Sequence, residues 1–146
     1  MNYKLSVYVG KVVEKKGYVL EKEGRVIADL VEKYRGTSNM GSKEAKDTIL
    51  KMIEKGIRAS KKYLTHDDVL IIEVQDNSIC EWLSGTVVNN TVKKFEEVFT
   101  IIELLESIDC RYRFCFCNPS SRDYISVKDV TKMSYGSVED LMSSFE

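Results

Sequence analysis

The sequence predicts a mixed α/β domain, an α+β arrangement in which helices flank a sheet of antiparallel and parallel strands. Three features support this prediction. The chain begins with three short runs of alternating apolar and polar residues, which predict an antiparallel three-strand meander. A long stretch with helical spacing follows, and Val69–Gln75 then forms a nearly continuous apolar run. Such a run is typical of a strand buried on both faces, so it is expected at the centre of the sheet.

The composition is that of a globular protein, and we expect one domain over residues 1–146. The chain is 43% hydrophobic, and its 22 basic and 23 acidic residues give a net charge of −1. Proteins that wrap nucleic acid usually carry a basic excess, so generic nucleic-acid affinity is not indicated. No apolar run approaches the ~20 residues that cross a bilayer, and no signal-peptide core begins the chain. A cytoplasmic protein without a membrane partner is therefore expected, and its oligomeric state stays open.

The strands of the meander are predicted from the period of two. Tyr3–Val9 alternates apolar and polar residues, and Tyr18–Leu20 resumes the pattern. Glu23-Gly24 supplies a turn, and Arg25–Tyr34 predicts the third strand.

Ser42–Leu64 is predicted to form one long amphipathic helix. Ser42 is a favourable N-cap, and Glu44 suits the first turn. Lysines occupy much of the remaining helix surface. The apolar stripe consists of Ala45, Ile49, Leu50, Ile53, Ile57 and Leu64.

Two further helices are predicted after the buried strand. Ser78–Glu81 has the form of a capping box, so a short helix is expected just after Asp76. Asn89–Thr91 is predicted to cap the next helix. The apolar stripe of that helix is Val92, Phe95, Val98, Phe99, Ile102 and Leu105.

The last strand is predicted to begin at Asp109 and to run through Cys117, with its aromatic residues on one face. Ser137–Asp140 predicts the cap of a short terminal helix, and residues 120–135 are ambiguous. Cys115-x-Cys117 could bind zinc together with a second short-spaced pair, but Cys80 and Cys110 do not form one, so reduced cysteines packed in the core are favoured.

The order of these elements resembles the ribonuclease H-like fold over nearly the whole chain. That resemblance implies that the first three strands are antiparallel. It also implies that the strand after the long helix pairs in parallel with the first strand, and that the last strand lies on the far side of that fourth strand. The family uses four carboxylates to hold two magnesium ions around a scissile phosphate.

The first two carboxylates of the family have poor counterparts here. The family's Tyr-x-Asp-Gly motif corresponds to Tyr8-Val9-Gly10-Lys11, so the resemblance places Gly10 at the metal-bridging aspartate. Ser42 lies nearest the position of the helix glutamate, and Glu44 reaches it only by a shift. Neither Gly10 nor Ser42 can supply a charge, and Lys11 would repel a cation.

The third carboxylate has a good counterpart in Asp76, which Asn77 and Ser78 follow; Glu73 is a rival if the register slips by three. For the fourth, the resemblance offers Asp123 or Asp129. Asp76 is predicted to cap the helix that follows it rather than to hold a metal. We therefore expect a degenerate site with no cofactor, or with magnesium if the chain is a nuclease.

Binding residues are expected on two surfaces. The first is the cleft where the fold would bring Gly10, Ser42, Asp76 and Trp82 together, with Lys11 and Asn77 beside them; Trp82 could be a pocket wall or core. The second is the lysine-rich face of the long helix. Its candidate residues are Lys51, Lys55 and Arg58, although a solvated helix face is the simpler interpretation.

These observations favour a non-catalytic binding or interaction protein. A phage or mobile-element accessory factor that engages a host protein or a structured nucleic acid is one such protein. One alternative is a divergent magnesium-dependent nuclease that uses Glu44, Glu73 or Asp76, and Asp123. A second alternative is a small-ligand or nucleotide-binding domain.

Overall fold

The computed structural model of the protein describes residues 1–10, 15–35, 42–85 and 95–116. These residues form one five-stranded mixed sheet and three helices. In chain order the elements are β1 (Asn2–Gly10), β2 (Lys15–Lys22), β3 (Arg25–Lys33), α1 (Lys43–Ser60), β4 (Val69–Val74), α2 (Asn77–Leu83), α3 (Glu96–Ile108) and β5 (Arg111–Phe116).

The strand order in the sheet is β3-β2-β1-β4-β5. Strands β1, β2 and β3 are antiparallel neighbours, β4 runs parallel to β1, and β5 runs parallel to β4. This is the mixed sheet that the order of sequence elements predicted. It places β4 between β1 and β5, and so brings the C-terminal ends of β1 and β4 to the same edge.

The turn between β2 and β3 is the one predicted at Glu23-Gly24. Both residues have positive φ, 51° and 80°, as a two-residue hairpin turn with the twist of its strands requires. Glycine adopts this conformation without a steric penalty.

Helix α1 packs across β1 and β2, and this contact forms the centre of the core. Gly56 makes the close approach possible, because a Cβ atom at that position would lie 2.8 Å from a methyl group of Leu5. The helix buries Ile49, Ile53 and Ile57 completely against the sheet, as their spacing predicted.

The predicted end of α1 was wrong by four residues. The helix ends at Ser60, whose hydroxyl donates to the carbonyl of Gly56, and a turn follows in which the amide of Tyr63 donates to the carbonyl of Ser60. Leu64 is buried although it lies beyond the helix. Because Leu64 fits the helical spacing of the apolar residues, the sequence pattern extended the helix beyond its actual end.

Strand β4 is less symmetrically buried than its sequence predicted, and it ends at Val74 rather than at Gln75. Leu70, Ile72 and Val74 are completely buried, whereas Glu73 on the other face is half-buried. The two faces of this strand therefore differ, and the charged residue lies on the more accessible one.

Helix α2 begins at Asn77, and its cap is Asp76 rather than the capping box predicted from Ser78. Helix α3 begins at Glu96, with Phe95 at the N-cap position and no side-chain cap. The cap predicted at Asn89–Thr91 lies outside the described residues.

The buried stripe of α3 consists of Val98, Ile101, Leu104 and Leu105. Phe99 was predicted on this stripe, but it is 49% exposed. The sequence pattern placed Phe99 on the stripe because i, i+3, i+4 spacing does not distinguish a wide apolar stripe from a narrow one that is shifted by one residue.

Strand β5 begins two residues after the predicted start. Of the three aromatic residues predicted on one face, Phe114 lies opposite Ile72 and is buried, whereas Tyr112 and Phe116 are 36% and 44% exposed. Burial raises the pKa of the Cys80 and Cys110 thiols, as expected for core cysteines. Cys117, residues 120–135 and the helix predicted after Ser137–Asp140 lie outside the described residues. Among the helices that the structure describes, none could span a membrane.

Candidate functional site

The C-terminal ends of β1 and β4 meet the N-termini of α1 and α2. The parallel pairing of β1 with β4 extends to Ser6 and Glu73, after which β1 continues to Gly10 and β4 gives way to the first residues of α2. Folds of this kind commonly place their sites at such strand ends. The side chains at this edge are therefore the ones to consider first.

Asp76 caps helix α2. Its Oδ1 atom accepts a hydrogen bond from the amide of Ile79 at 3.0 Å. An aspartate in this position satisfies one of the free amides of the first helical turn, and its charge suits the positive end of the helix dipole. The cap predicted for Asp76 is confirmed.

The second carboxylate oxygen of Asp76 pairs with Lys46 of α1. The Lys46 Nζ atom lies 2.8 Å from Oδ2, and the two side chains are only 16% and 14% exposed. Water therefore screens this pair less than it screens a surface ion pair. Both oxygens of Asp76 have close partners, one an amide and the other an ammonium.

Trp82 belongs to the core beside this pair. It is buried and stacks on Phe95, with the ring centroids 5.0 Å apart. Lys46 Nζ lies 5.4 Å from the Trp82 ring centroid, a distance at which the ring face attracts a cation. Trp82 therefore helps to hold the ammonium of Lys46 in place.

Gln75 joins the ends of β1 and β4 where the backbone ladder stops. The Val9 amide donates to Gln75 Oε1 at 2.6 Å, and Gln75 Nε2 donates to the Val9 carbonyl at 2.8 Å. The side-chain carboxamide thus forms hydrogen bonds with both the amide and the carbonyl of Val9, as the backbone of a neighbouring strand would. It closes the gap between the two strand ends.

Gly10 lies at the end of β1, and the ring of Tyr8 fills the space that a side chain at residue 10 would occupy. A Cβ atom at residue 10 would collide with the phenol ring of Tyr8, which is only 2% exposed. Any side chain at residue 10 therefore requires the ring to move. The position that the resemblance assigned to the first carboxylate holds an aromatic ring instead.

Glu73 pairs with Lys4 of β1, and Glu73 Oε1 lies 3.2 Å from Lys4 Nζ. Its other oxygen accepts from the Ser6 hydroxyl at 3.5 Å. Sequence reasoning left two possibilities for Glu73, a site carboxylate or a partner for a basic residue of the meander. The structure shows the second arrangement.

The N-terminus of α1 holds Ser42 and Glu44. The Ser42 hydroxyl accepts from the Ala45 amide at 3.2 Å, which confirms its predicted role as N-cap. Glu44 is exposed in the first turn. Burial of the Tyr34 phenol, reinforced by the charge of Glu44, raises the pKa of Tyr34.

The remaining predicted binding residues lie around this edge and along α1. Asn77 Nδ2 donates to Glu81 at 3.3 Å, Lys55 pairs with Glu32 at 2.8 Å, and Arg58 pairs with Glu54 at 3.1 Å. Lys51 is exposed on α1. The predicted residues Lys11, Asp123 and Asp129 lie outside the described residues.

Sequence reasoning missed Lys46, Gln75 and Tyr8 as residues of this edge. Lys46 looked like one more surface lysine of α1, although it follows the Ser42 cap by four residues, about one helical turn. Gln75 directly precedes Asp76, and Tyr8 is two residues before Gly10. Their proximity in sequence to Ser42, Asp76 and Gly10 was the available signal that they belong to this edge.

The described residues do not fit the two-magnesium cage that the resemblance implies. Magnesium prefers oxygen ligands that converge with nearly octahedral geometry, and two adjacent ions need several carboxylates. No three histidine, cysteine, aspartate or glutamate side chains of the described ranges are grouped so that they could hold a metal. Among the described residues, the carboxylate that matches best is Asp76, and the Lys46 ammonium lies 2.8 Å from it.

No protein-family model matches the sequence, and the search of curated proteins found no match. The solved structures that resemble the fold include three RNase H structures. RNase H1 from the halophilic archaeon Halobacterium salinarum is 12% identical with a TM-score of 0.56, and the alignment covers 80% of this chain and 84% of that one. LC11-RNase H1, solved in complex with an RNA/DNA hybrid, is 10% identical with a TM-score of 0.56 over 84% and 86% of the two chains.

The third structure is the N-terminal RNase H domain of a Mycobacterium tuberculosis protein, solved as a fusion with maltose-binding protein. It is 13% identical with a TM-score of 0.58, and the alignment covers 92% of this chain and 99% of that one. These similarities agree with the strand order and with the crossover through α1. The chain has a ribonuclease H-like fold.

Proposed function

We propose that this chain is a non-catalytic ribonuclease H-like domain that binds nucleic acid without cleaving it. The observation that carries the first half of the proposal is the ion pair between Lys46 and Asp76. In this pair a lysine ammonium contacts Asp76, which among the described residues is the best match to the family's metal ligands.

The pair opposes metal binding in two ways. A magnesium ion at Asp76 would have to displace an ammonium that lies 2.8 Å from the carboxylate and is also held by the face of Trp82. It would then leave Lys46 with a poorly solvated charge, because that side chain is only 16% exposed. Gly10 adds no ligand to offset this cost, and Tyr8 fills the adjacent space.

The second half of the proposal, nucleic-acid binding, is supported by the fold and by exposed cations. One of the similar structures was solved with an RNA/DNA hybrid. A duplex can be held through its phosphates by lysines and arginines, and such contacts need neither a metal nor a basic net charge of the whole protein. Residues Lys51 and Lys55 of α1 are available on the surface for this purpose.

We also propose that the biological setting is an accessory role in a phage or mobile element, in which a factor occupies a structured nucleic acid without cutting it. The genes that flank the coding region test this part of the proposal. A neighbourhood of ordinary metabolic genes in several related genomes would contradict it.

Binding and cleavage are tested together with an end-labelled RNA/DNA hybrid. We expect a shift in fluorescence anisotropy with and without magnesium, an intact substrate after prolonged incubation, and the same affinity for the Asp76→Asn variant. Magnesium- or manganese-dependent cleavage that disappears in Asp76→Asn would overturn the non-catalytic assignment. Absence of binding to hybrid, double-stranded RNA and double-stranded DNA alike would overturn the nucleic-acid assignment.

Thermal unfolding with magnesium gives an independent readout. A metal at 100 times its dissociation constant would stabilise the protein by about 2.7 kcal/mol. We expect no stabilisation by magnesium or manganese. A stabilisation that is lost in Asp76→Asn would show that Asp76 holds a metal despite Lys46.

A further inference from the structure

A small groove lies between α1 and the beginning of β2. Its volume is about 230 Å³, and its lining residues are Lys16, Thr48, Lys51, Met52 and Lys55. Met52 is buried at 2% exposure, so the groove has an apolar floor with polar and cationic groups around it. Three of the five lining residues are lysines.

The charges around the groove do not cancel. Lys55 pairs with Glu32 at 2.8 Å, and Glu32 lies opposite Lys16 in the β2–β3 ladder. Within the described part of the chain, neither Lys16 nor Lys51 forms an ion pair of its own. Among the described residues, Glu32 forms an ion pair with one of the three groove lysines, and the charge of Lys51 also acts on Glu97 of α3. Three ammonium groups line the groove, so it keeps a positive potential that a further anion can satisfy.

The groove is separate from the edge that holds Asp76. Thr48, Lys51, Met52 and Lys55 are spaced i, i+3, i+4 and i+7, so they share one stripe of α1. Lys46 precedes Lys51 by five residues, which at ~100° per residue places it about 140° away around the helix axis. Lys46 therefore turns toward α2, whereas the groove opens on the flank of β2.

The size and chemistry of the groove suit a single phosphate group. Pockets for drug-sized ligands usually enclose ~300–1,000 Å³, so this groove is small for a whole nucleotide. Lysine binds phosphate as a mobile point charge, and several lysines around one depression can follow the oxygens of a phosphodiester. Thr48 lies in the same lining, but its hydroxyl donates to the carbonyl of Glu44 at 2.9 Å, so the lysines provide the contacts to the phosphate.

We propose that this groove binds a backbone phosphate of a nucleic-acid duplex through Lys16 and Lys51, with Lys55 held in place by Glu32. This assignment rests on the proposed function, because it names the surface by which the domain engages its nucleic acid. It uses no residue of the strand ends around Asp76. Binding at the groove is therefore expected to tolerate changes at that edge.

The test compares two double variants that remove the same charge. Lys16→Gln with Lys51→Gln alters the groove, and Lys61→Gln with Lys62→Gln removes two exposed lysines from the turn after α1. Affinity for an RNA/DNA hybrid is measured by anisotropy over a series of salt concentrations. Circular dichroism and thermal melts establish that both variants are folded.

We expect the groove variant to lose at least about tenfold in affinity at 0.1 M salt, and its slope of log affinity against log salt to become shallower by about 1, since each phosphate contact contributes about 0.9. The control variant should change both quantities much less. If wild-type protein binds and both variants lose affinity equally, the groove assignment is overturned while the proposed function stands. If wild-type protein binds no nucleic acid, the proposed function itself fails.

An acidic protein segment is the competing occupant. Poly-glutamate is titrated as a competitor, and its concentration of charge is compared with that of the hybrid. Weak competition by poly-glutamate supports a phosphate site. Displacement of the hybrid by poly-glutamate at lower charge concentration, lost in the groove variant, would overturn the assignment in favour of an acidic protein partner.

Discussion

The Nζ atom of Lys46 lies 2.8 Å from Oδ2 of Asp76, and this contact ties α1 to the N-terminus of α2. Oδ1 of the same carboxylate accepts from the amide of Ile79. One aspartate thus neutralises a lysine and caps a helix at once. The pair occupies the strand edge at which a ribonuclease H-like fold is expected to hold its metals, so its strength bears directly on the proposed function.

Breaking the Lys46–Asp76 pair should destabilise the protein. We expect Lys46→Met to lower the free energy of unfolding by about 1–3 kcal/mol, because it leaves one oxygen of a mostly buried carboxylate without its partner. Asp76→Asn keeps a capping oxygen and should cost a similar amount by stranding Lys46. Urea denaturation of both single variants and the double variant measures the coupling energy of the pair.

A second cycle, with Lys43→Met, Asp47→Asn and the double variant, is the matched control. Lys43 lies one turn earlier on α1 and pairs with Asp47 at 3.3 Å, but its side chain is 66% exposed. Exposed pairs of this type contribute about 0–1 kcal/mol. A coupling energy for Lys46–Asp76 no larger than that of Lys43–Asp47 would contradict the interpretation of Lys46 as a substitute cation.

Gly10 and Tyr8 are expected to be coupled through the space they share. Gly10→Ala should destabilise the protein by about 1–3 kcal/mol, because the added methyl group must displace the buried phenol ring. In a Tyr8→Ala background the ring is absent and the same substitution should cost much less. Chemical denaturation of the four proteins tests this non-additivity.

The interpretation of Gly10 depends on whether the costs of the two substitutions are coupled. Equal costs of Gly10→Ala in the two backgrounds would mean that the glycine is required by its backbone and not by Tyr8. A smaller cost in the Tyr8→Ala background would show that the ring holds the position at which the resemblance expects a carboxylate.

Glu97 of α3 should make the stability depend on pH. Burial, reinforced by a hydrogen bond and charge repulsion from Glu54 of α1, raises the pKa of Glu97. The folded protein therefore binds more protons than the unfolded chain between the ordinary glutamate pKa and the raised value, so stability should fall as pH rises through that window. Glu97→Gln should be more stable than wild type above the window and should lose this part of the pH dependence.

Glu96→Gln is the control for Glu97. Glu96 lies in the same first turn of α3 but is exposed. Removing its charge should lower stability by about 0.3–1 kcal/mol through the helix dipole, with the opposite sign to Glu97→Gln at neutral pH. Urea denaturation at several pH values distinguishes the two. Equal effects of both substitutions would show that Glu54 does not act on Glu97.

The sequence predicted those parts of the fold that depend on local pattern. The alternation in β1, the caps at Ser42 and Asp76 and the apolar run of β4 each have a cause within a few residues. The roles of Lys46 and Tyr8 could not be predicted in the same way. They depend on which flank of α1 faces α2 and on which side chain fills the space over Gly10, and only tertiary packing determines both.

Gln75 is expected to be essential for holding the ends of β1 and β4 together. Gln75→Leu would leave both the amide and the carbonyl of Val9 without their partner, and an unsatisfied buried polar group costs about 1–3 kcal/mol. Urea denaturation should show a loss in this range. Amide hydrogen exchange should show that Val9 exchanges faster while Leu5, within the β1–β4 ladder, stays protected.

The Gln75→Glu variant distinguishes the contribution of the two hydrogen bonds from the contribution of side-chain packing, because glutamate has nearly the same shape as glutamine. At neutral pH the carboxylate can accept from the Val9 amide, but it sets an anionic oxygen against the Val9 carbonyl, so the variant should also be destabilised. At acid pH the protonated side chain can donate to that carbonyl, and the deficit relative to wild type should shrink. Gln75→Leu should show no such recovery. A deficit of Gln75→Glu that is independent of pH would mean that the carboxamide contributes mainly by packing.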